Sequence, residues 1–369
     1  MGCIIHRLNL IKCLSSHSSN AHPNTILNVI KSIIVSKIDY GLSIYGHTTK
    51  TNLRTIEAIY HSSIRTALGA FKSTPLQNLL IEAGLPNIRD RRDYLTANIL
   101  SRLWINSEKP LIQNIRNMPS NNFPRIPSAA YRATRIGAEI GFNFKMHTSY
   151  IPSQPPWFLK TESTITDLMC YPKSKTPPII YVSTFKEVSG SLAKTGWTTI
   201  YTDGSKTATH TSYAVVNNNH QIDTLALINP NCSIFTAESE AILAAANICK
   251  HKIGKFIICS DSYSAIQAIN NINHKDETIS KIRNLLIQNQ NKIKIMWVPS
   301  HVGILGNEKA DEAAANASRR PLLFLHTFNK KDIKKNIKNH YQTKRRNSWE
   351  HRNNFCKSLN LLVQLHTTQ

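Results

Sequence analysis

Between Trp197 and Ala317, short β-branched runs alternate with Ala-rich stretches of helical period, and this order restricts the fold more than any other feature of the 369-residue chain. Residues 198–202 (Thr-Thr-Ile-Tyr-Thr) read as a strand closed by Asp203-Gly204. Residues 212–216 and 221–227 read as two more strands, joined across Asn217-Asn218-Asn219. Residues 236–250 place Ile242, Leu243, Ala246 and Cys249 on one face, which predicts a helix. A compact apolar strand over 256–260 is of the kind buried on both faces. Helices over 262–270 and 279–289, a strand over 293–298 and a helix over 307–317 with Gly306 or Asn307 near its cap complete the series. The order βββαβααβα predicts an α/β fold, with an antiparallel hairpin set joined to a parallel portion and helices on the faces of a mixed five-stranded sheet.

The first hundred residues have a different texture. Apolar residues at three- and four-residue spacing over 25–37, 52–68, 74–83 and 88–103 predict a mostly helical region, 1–108. Ten of the sixteen prolines then fall between Pro110 and Pro178, including Pro155-Pro156 and Pro177-Pro178. Proline removes backbone donors and breaks helices, so 109–195 is expected to be a connector with little regular structure. Residues 319–369 form a basic helical tail.

Charge separates the same segments. The chain carries a formal net +23, which points to a polyanionic partner such as nucleic acid. Residues 1–195 hold a net +13 and 319–369 a net +10, whereas 196–318 balance ten basic against ten acidic residues. The basic flanks are therefore expected to contact phosphates, with Lys344-Arg345-Arg346 as one such cluster, and the neutral block to concentrate its carboxylates for a purpose of its own.

Four of those carboxylates stand where chain and chemistry agree. Asp203 ends the first strand, Glu238 lies in the first turn of the first long helix, Asp261 ends the buried strand and Asp311 sits on the last helix. Taken singly each has an ordinary explanation: a turn residue for Asp203, a helix N-terminal acid for Glu238 and Asp261, a solvated charge for Asp311. Together, on two strand ends and two helices, they make an acidic pocket at the sheet edge where open α/β sheets hold ligands. Four such anions repel unless cations sit among them, and oxygen donors without Cys or His suit Mg²⁺ or Mn²⁺. Two such ions about 3.5–4 Å apart stabilise both the attacking and the leaving oxygen of a phosphodiester displacement.

Tyr-Thr-Asp-Gly-Ser at 201–205, Thr-Ala-Glu at 236–238, Ser-Asp-Ser at 260–262 and Trp-Val-Pro-Ser-His-Val-Gly-Ile-Leu-Gly-Asn-Glu-Lys-Ala-Asp at 297–311 resemble type 1 ribonuclease H, and more narrowly the ribonuclease H domain of non-LTR (jockey-like) retrotransposon polyproteins. The resemblance implies a ribonuclease H-like fold over 196–318 and hydrolysis of the RNA strand of RNA–DNA hybrids with two Mg²⁺ or Mn²⁺ ions. It makes Asp203, Glu238, Asp261 and Asp311 the metal-binding carboxylates and His301 a mobile histidine for water activation or product release. Gly204 and Ser205 would let the backbone approach the phosphate or 2′-hydroxyl. Glu240, two residues along, competes with Glu238 for the helical position. Residues 28–46 and 79–92 resemble the region between polymerase palm and ribonuclease H in such polyproteins, a thumb- or connection-like segment, and 330–349 the segment that follows the nuclease.

No Asp-Asp pair occurs in the chain, so no polymerase activity is expected. Cys3, His6, Cys13 and His17 have spacings unusual for a structural zinc site and are read as polar positions of a helix. Seven cysteines without a regular pairing pattern are read as reduced, buried thiols. No apolar run approaches the roughly 20 residues of a membrane span, and Met1-Gly2-Cys3 opens no secretory h-region, so an intracellular protein is expected, with nucleus and cytoplasm not distinguished. Two other classes compete with an active hybrid nuclease. One is a decayed copy that only binds nucleic acid, and the other a DNA-cutting integrase or resolvase relative with the same core, against which the fourth carboxylate ten residues after His301 speaks.

Overall fold

The computed structural model describes residues 2–15, 21–46, 48–103, 129–141, 164–171, 175–319, 323–325 and 329–350, with positions 110 and 113. The chain divides into two compact units, Met1–Tyr150 with Lys334–Gln369, and Ile151–Ile333.

The first unit is helical, as its periodicity predicts. Its helices are α1 (Gly2–Leu14), α2 (Pro23–Ile30), α3 (Ser36–Tyr45), α4 (Lys50–Leu68), α5 (Leu76–Glu82), α6 (Ile88–Leu103) and α7 (Ala129–Glu139), with a π-helical turn over Lys31–Val35 between α2 and α3. Local chemistry sets the ends of α4: Thr49 Oγ1 accepts from the Asn52 amide, and Gly69 at φ +61° stops the helix in the left-handed region. The apolar stripes meet in a core of Ile30, Ile34, Leu42, Tyr60, Ile64, Leu79 and Ile88. Buried Asp93 accepts from Arg92 at 2.8 Å and Arg135 at 2.7 Å, so this interior charge is paired. Lys344 Nζ lies 2.8 Å from Asp90 and Arg345 donates to the Gly84 carbonyl. Two cations of the cluster assigned to phosphate thus bond within their own unit. His17 of the candidate zinc set lies outside the described residues.

The second unit contains β1 (Thr164–Ile165), α8 (Pro178–Lys194), β2 (Trp197–Lys206), β3 (Thr211–Val216), β4 (Ile222–Ile228), α9 (Ile234–His251), β5 (Lys255–Ser260), α10 (Tyr263–Asn270), α11 (Glu277–Gln288), β6 (Ile293–Trp297), α12 (Leu305–Ala315) and β7 (Leu323–Leu325). A last helix, α13 (Lys330–Glu350), begins in this unit and has its later residues in the first. The expected element order holds. The sheet is mixed and runs β1-β6-β5-β2-β3-β4-β7, with β2–β3–β4 antiparallel and β2–β5–β6 parallel. It has seven strands in place of the five expected, because β1 and β7 are too short to show a period of two. The connector expectation also needs correction, since α7 and α8 are regular helices inside 109–195. Pro178 occupies the first turn of α8, where a missing N–H costs nothing, so the proline that was read as a breaker starts a helix. Helix α12 opens at Ile304 with no side-chain cap, and neither Gly306 nor Asn307 serves as one. Of the described cysteines, Cys232, Cys249 and Cys259 are buried thiols, while Cys13 and Cys170 are exposed. Among the described residues no helix is long and apolar enough to cross a membrane.

Strand β5 is buried from Phe256 to Ser260, and Ile257, Ile258, Ala245, Ala246, Ile266 and Ile295 form the centre of the core. One cation sits inside this packing. Arg283 is 3% exposed, and its guanidinium donates to the carbonyls of Ala268, Ile269, Asn271 and His274 at 2.8–3.1 Å. The Asn271 carbonyl also takes the His274 amide, but those of Ala268 and Ile269, in the last turn of α10, have no intrahelical donor, and a positive charge there suits the helix dipole. Arg283→Met is expected to strip those carbonyls of donors and cost about 3 kcal/mol, measured as a lower urea midpoint with an unchanged slope.

Candidate active site

Register brings the two strand aspartates together. In the parallel β2–β5 pair, Thr202 faces Ser260, so Asp203 and Asp261, each one residue further, emerge side by side. Glu238 reaches them from α9, whose first turn is organised by Ser233: its hydroxyl accepts from the Thr236 amide. One carboxylate oxygen from each of Asp203, Glu238 and Asp261 lies within 4.8 Å of the other two. Asp203 and Glu238 are buried and Asp261 is partly exposed, so the cluster opens to solvent on one side.

Burial is the first cause of the electrostatics. It pushes the Asp203 carboxyl up to about 8, with the charges of Asp261 and Asp311 adding to it. Burial, then Asp203 and Asp261, raises Glu238 well above the ordinary carboxylate range. The Gly204 amide opposes both shifts. Glu238 Oε2 is buried with no hydrogen-bond partner. An unpaired buried carboxylate oxygen facing two further carboxylates is the donor arrangement a hard divalent cation satisfies, and the ligand set is all oxygen. The residues fit such an ion.

Glu240 is not part of this group. It turns toward α11, where its Oε1 accepts from Thr278 Oγ1 at 2.8 Å, which separates it from Glu238. Asp311, on α12, is not among the three clustered carboxylates; its side chain is 43% exposed and its charge acts on Asp203 and Glu238. His301 Nδ1 stands 3.7 Å from Asp311 Oδ2. The histidine is 76% exposed and adopts φ +56°, an uncommon conformation for a non-glycine residue and one enriched at functional loops. Its loop is anchored by buried Val298 and Ile304 and by the Gly303 amide, which donates to Glu308 Oε1 at 2.8 Å.

Gly204 has a role the motif did not disclose. A Cβ there would lie 2.6 Å from the Glu238 amide nitrogen and 2.8 Å from the Ala237 carbonyl carbon. Glycine at 204 therefore permits β2 and the start of α9 to touch, and this contact sets the Asp203–Glu238 separation. Ser205 follows on the same strand and is partly exposed. Trp297, quoted only as part of a motif, holds Asp261 from behind: its indole Nε1 donates to the Asp261 carbonyl at 3.1 Å. The indole N–H of a strand-end tryptophan needs an acceptor when buried, and that requirement was the available clue.

The family model described as RNase H matches residues 195–319, which supports an RNase H domain in this stretch. No curated protein matches the chain.

Proposed function

We propose that this domain is a divalent-cation-dependent endoribonuclease that hydrolyses the RNA strand of RNA–DNA hybrids. The observation that carries the reading is the convergence of Asp203, Glu238 and Asp261, with a buried oxygen of Glu238 left unpaired, from the central strands β2 and β5 and helix α9. Asp203, Glu238, Asp261 and, from α12, Asp311 would hold two Mg²⁺ or Mn²⁺ ions. Such ions, when bound, would neutralise the carboxylates and stabilise charge on the attacking water oxygen and on the ribose oxygen that leaves. The protein's own part is to orient. The sheet register fixes the two aspartates, α9 delivers Glu238, and His301 in its solvent-exposed loop beside Asp311 moves protons and assists product departure. Ser205, with the backbone at Gly204, would face the sugar-phosphate, where a 2′-hydroxyl distinguishes RNA from DNA. In this reading the motifs derive from a non-LTR retrotransposon polyprotein, with 1–108 as its thumb- or connection-like region, 109–195 as the connector and 319–369 as a nucleic-acid-binding tail.

The test is cleavage of a labelled RNA–DNA hybrid in Mg²⁺ and in Mn²⁺, beside single-stranded RNA, duplex RNA and duplex DNA. Hybrid-only, metal-dependent cutting is expected. Tight hybrid binding without cutting would leave a binding protein, and cutting of duplex DNA would move the domain to the integrase or resolvase class. The basic tail is tested separately. Lys335 and Lys338 are exposed on α13. Replacing both by Glu is expected to weaken hybrid binding and reduce the slope of log affinity against log salt by about 2, read by fluorescence anisotropy.

A further inference from the structure

Beyond the stretch matched to RNase H, the chain returns to hold the helix that carries Glu238. Asp332, in the first turn of α13, is buried, and its Oδ2 accepts from the Ser233 amide at 3.0 Å and from Thr236 Oγ1 at 2.6 Å. Ser233 is the residue that caps α9, and its hydroxyl lies 3.1 Å from the same Thr236 hydroxyl. Three residues before Asp332, Asn329 Nδ2 donates to Asp276 Oδ2. Asp276 uses its other oxygen to cap α11 through the Thr278 amide at 3.1 Å. Thr278 in turn donates to Glu240 Oε1. Residues 329–332 therefore tie the starts of α9 and α11 together, and the fixed points, Thr236 and Glu240, lie two residues to either side of Glu238.

Glu238 has no protein partner at Oε2, and the like charge around it works against the hold of the Gly204 amide. Its place depends on the rigidity of the turn it rides on. An acid at the N-terminus of α9 also favours the helix dipole, and the bonds it accepts there are charge-assisted. We propose that Asp332 is a positioning residue for the acidic site: it locks the first turn of α9 so that Glu238 meets Asp203 and Asp261, and it thereby sets the affinity of the site for its divalent cation. This rests on the function proposed above.

The experiment compares the full chain with Asp332→Ala and Asp332→Asn. Asparagine retains a carbonyl oxygen that accepts both bonds, and alanine retains none. Asp332→Ala is expected to raise the Mg²⁺ concentration for half-maximal rate about tenfold and to lower kcat about tenfold, with KM for the hybrid within about twofold, while Asp332→Asn recovers both to within about threefold. A purely structural role would lower Tm in the alanine variant and leave the Mg²⁺ midpoint and kcat at the parent values below that Tm, which would overturn the proposal. So would an asparagine variant as impaired as the alanine one. A parent chain that does not cut hybrids would refute the function but not this inference, which is then read from the rise in Tm on adding Mn²⁺. A smaller rise in Asp332→Ala than in the parent supports it, and equal rises overturn it.

Discussion

Asp203→Asn is expected to abolish hybrid cleavage and, in the metal-free protein at pH 8, to raise thermal stability. Both effects follow from one arrangement. Asp203 is 4% exposed and shares its surroundings with Glu238, Asp261 and the charge of Asp311. In the folded chain its carboxyl is raised to about 8 from an ordinary 3.8. A raised folded value means that the protonated form contributes stability fully below pH 3.8, and that this contribution is lost as pH rises toward 8. The metal-free parent should therefore lose stability across that window. The amide, which carries no charge, should not lose it at this position. At pH 8 the gain is expected to be about 1–3 kcal/mol, or several degrees in Tm, measured by differential scanning calorimetry in chelator. Divalent cations should restore the parent's stability and leave the variant nearly unchanged. The rate should fall about a thousandfold or more, the equivalent of about 4 kcal/mol of lost charge stabilisation. A variant that is inactive but no more stable than the parent at pH 8 would show that the cluster is not under the repulsion described.

Gly204→Ala should also silence the site, with the opposite effect on stability. The added Cβ would stand 2.6 Å from the Glu238 nitrogen and 2.8 Å from the Ala237 carbonyl carbon. Both are backbone atoms, so no side chain can rotate away, and the start of α9 has to lift from β2. Over-packing of this kind costs about 2–3 kcal/mol. The same lift carries Glu238 away from Asp203, and a displacement near 1 Å in a reacting constellation costs about a hundredfold in rate. Gly69→Ala is the control. Its position has φ +61° but open space around the Cβ, so it should cost about 1 kcal/mol and leave activity alone. Equal rates for Gly204→Ala and the parent would show that α9 tolerates the shift, and that Glu238 does not need its present separation from Asp203.

Much of this was legible in the chain because the relevant physics is local. Hydrophobic period, cap residues and turn residues act over a few positions, and they placed the central strands and helices in order. They also put Asp261 directly after β5, whereas Asp203 lies three residues before the end of β2, which continues to Lys206 against β3, and Glu238 is the fifth residue of α9, past its first turn. Where a local signal was read one way, the fold could overrule it. Pro177-Pro178 reads as a break, and the packing of Tyr181 and Phe185 into the sheet's core makes it the start of α8. β1 and β7 span two and three residues, and pairing to a formed neighbour is what makes them strands.

The sequence by itself determined the order of the central elements and singled out the carboxylates, since each is read from a short window. The tertiary structure decided which glutamate enters the site, because Glu240 is claimed by Thr278, 38 residues away on another helix. It decided why position 204 is glycine, a contact between a strand and a helix that begins thirty residues later. It also decided that Asp332 lies against the helix that carries Glu238, through bonds to Ser233 and Thr236 spanning 99 and 96 residues. Bonds of that reach have no period and no cap to announce them. They exist only after the sheet has closed and brought its helices into register.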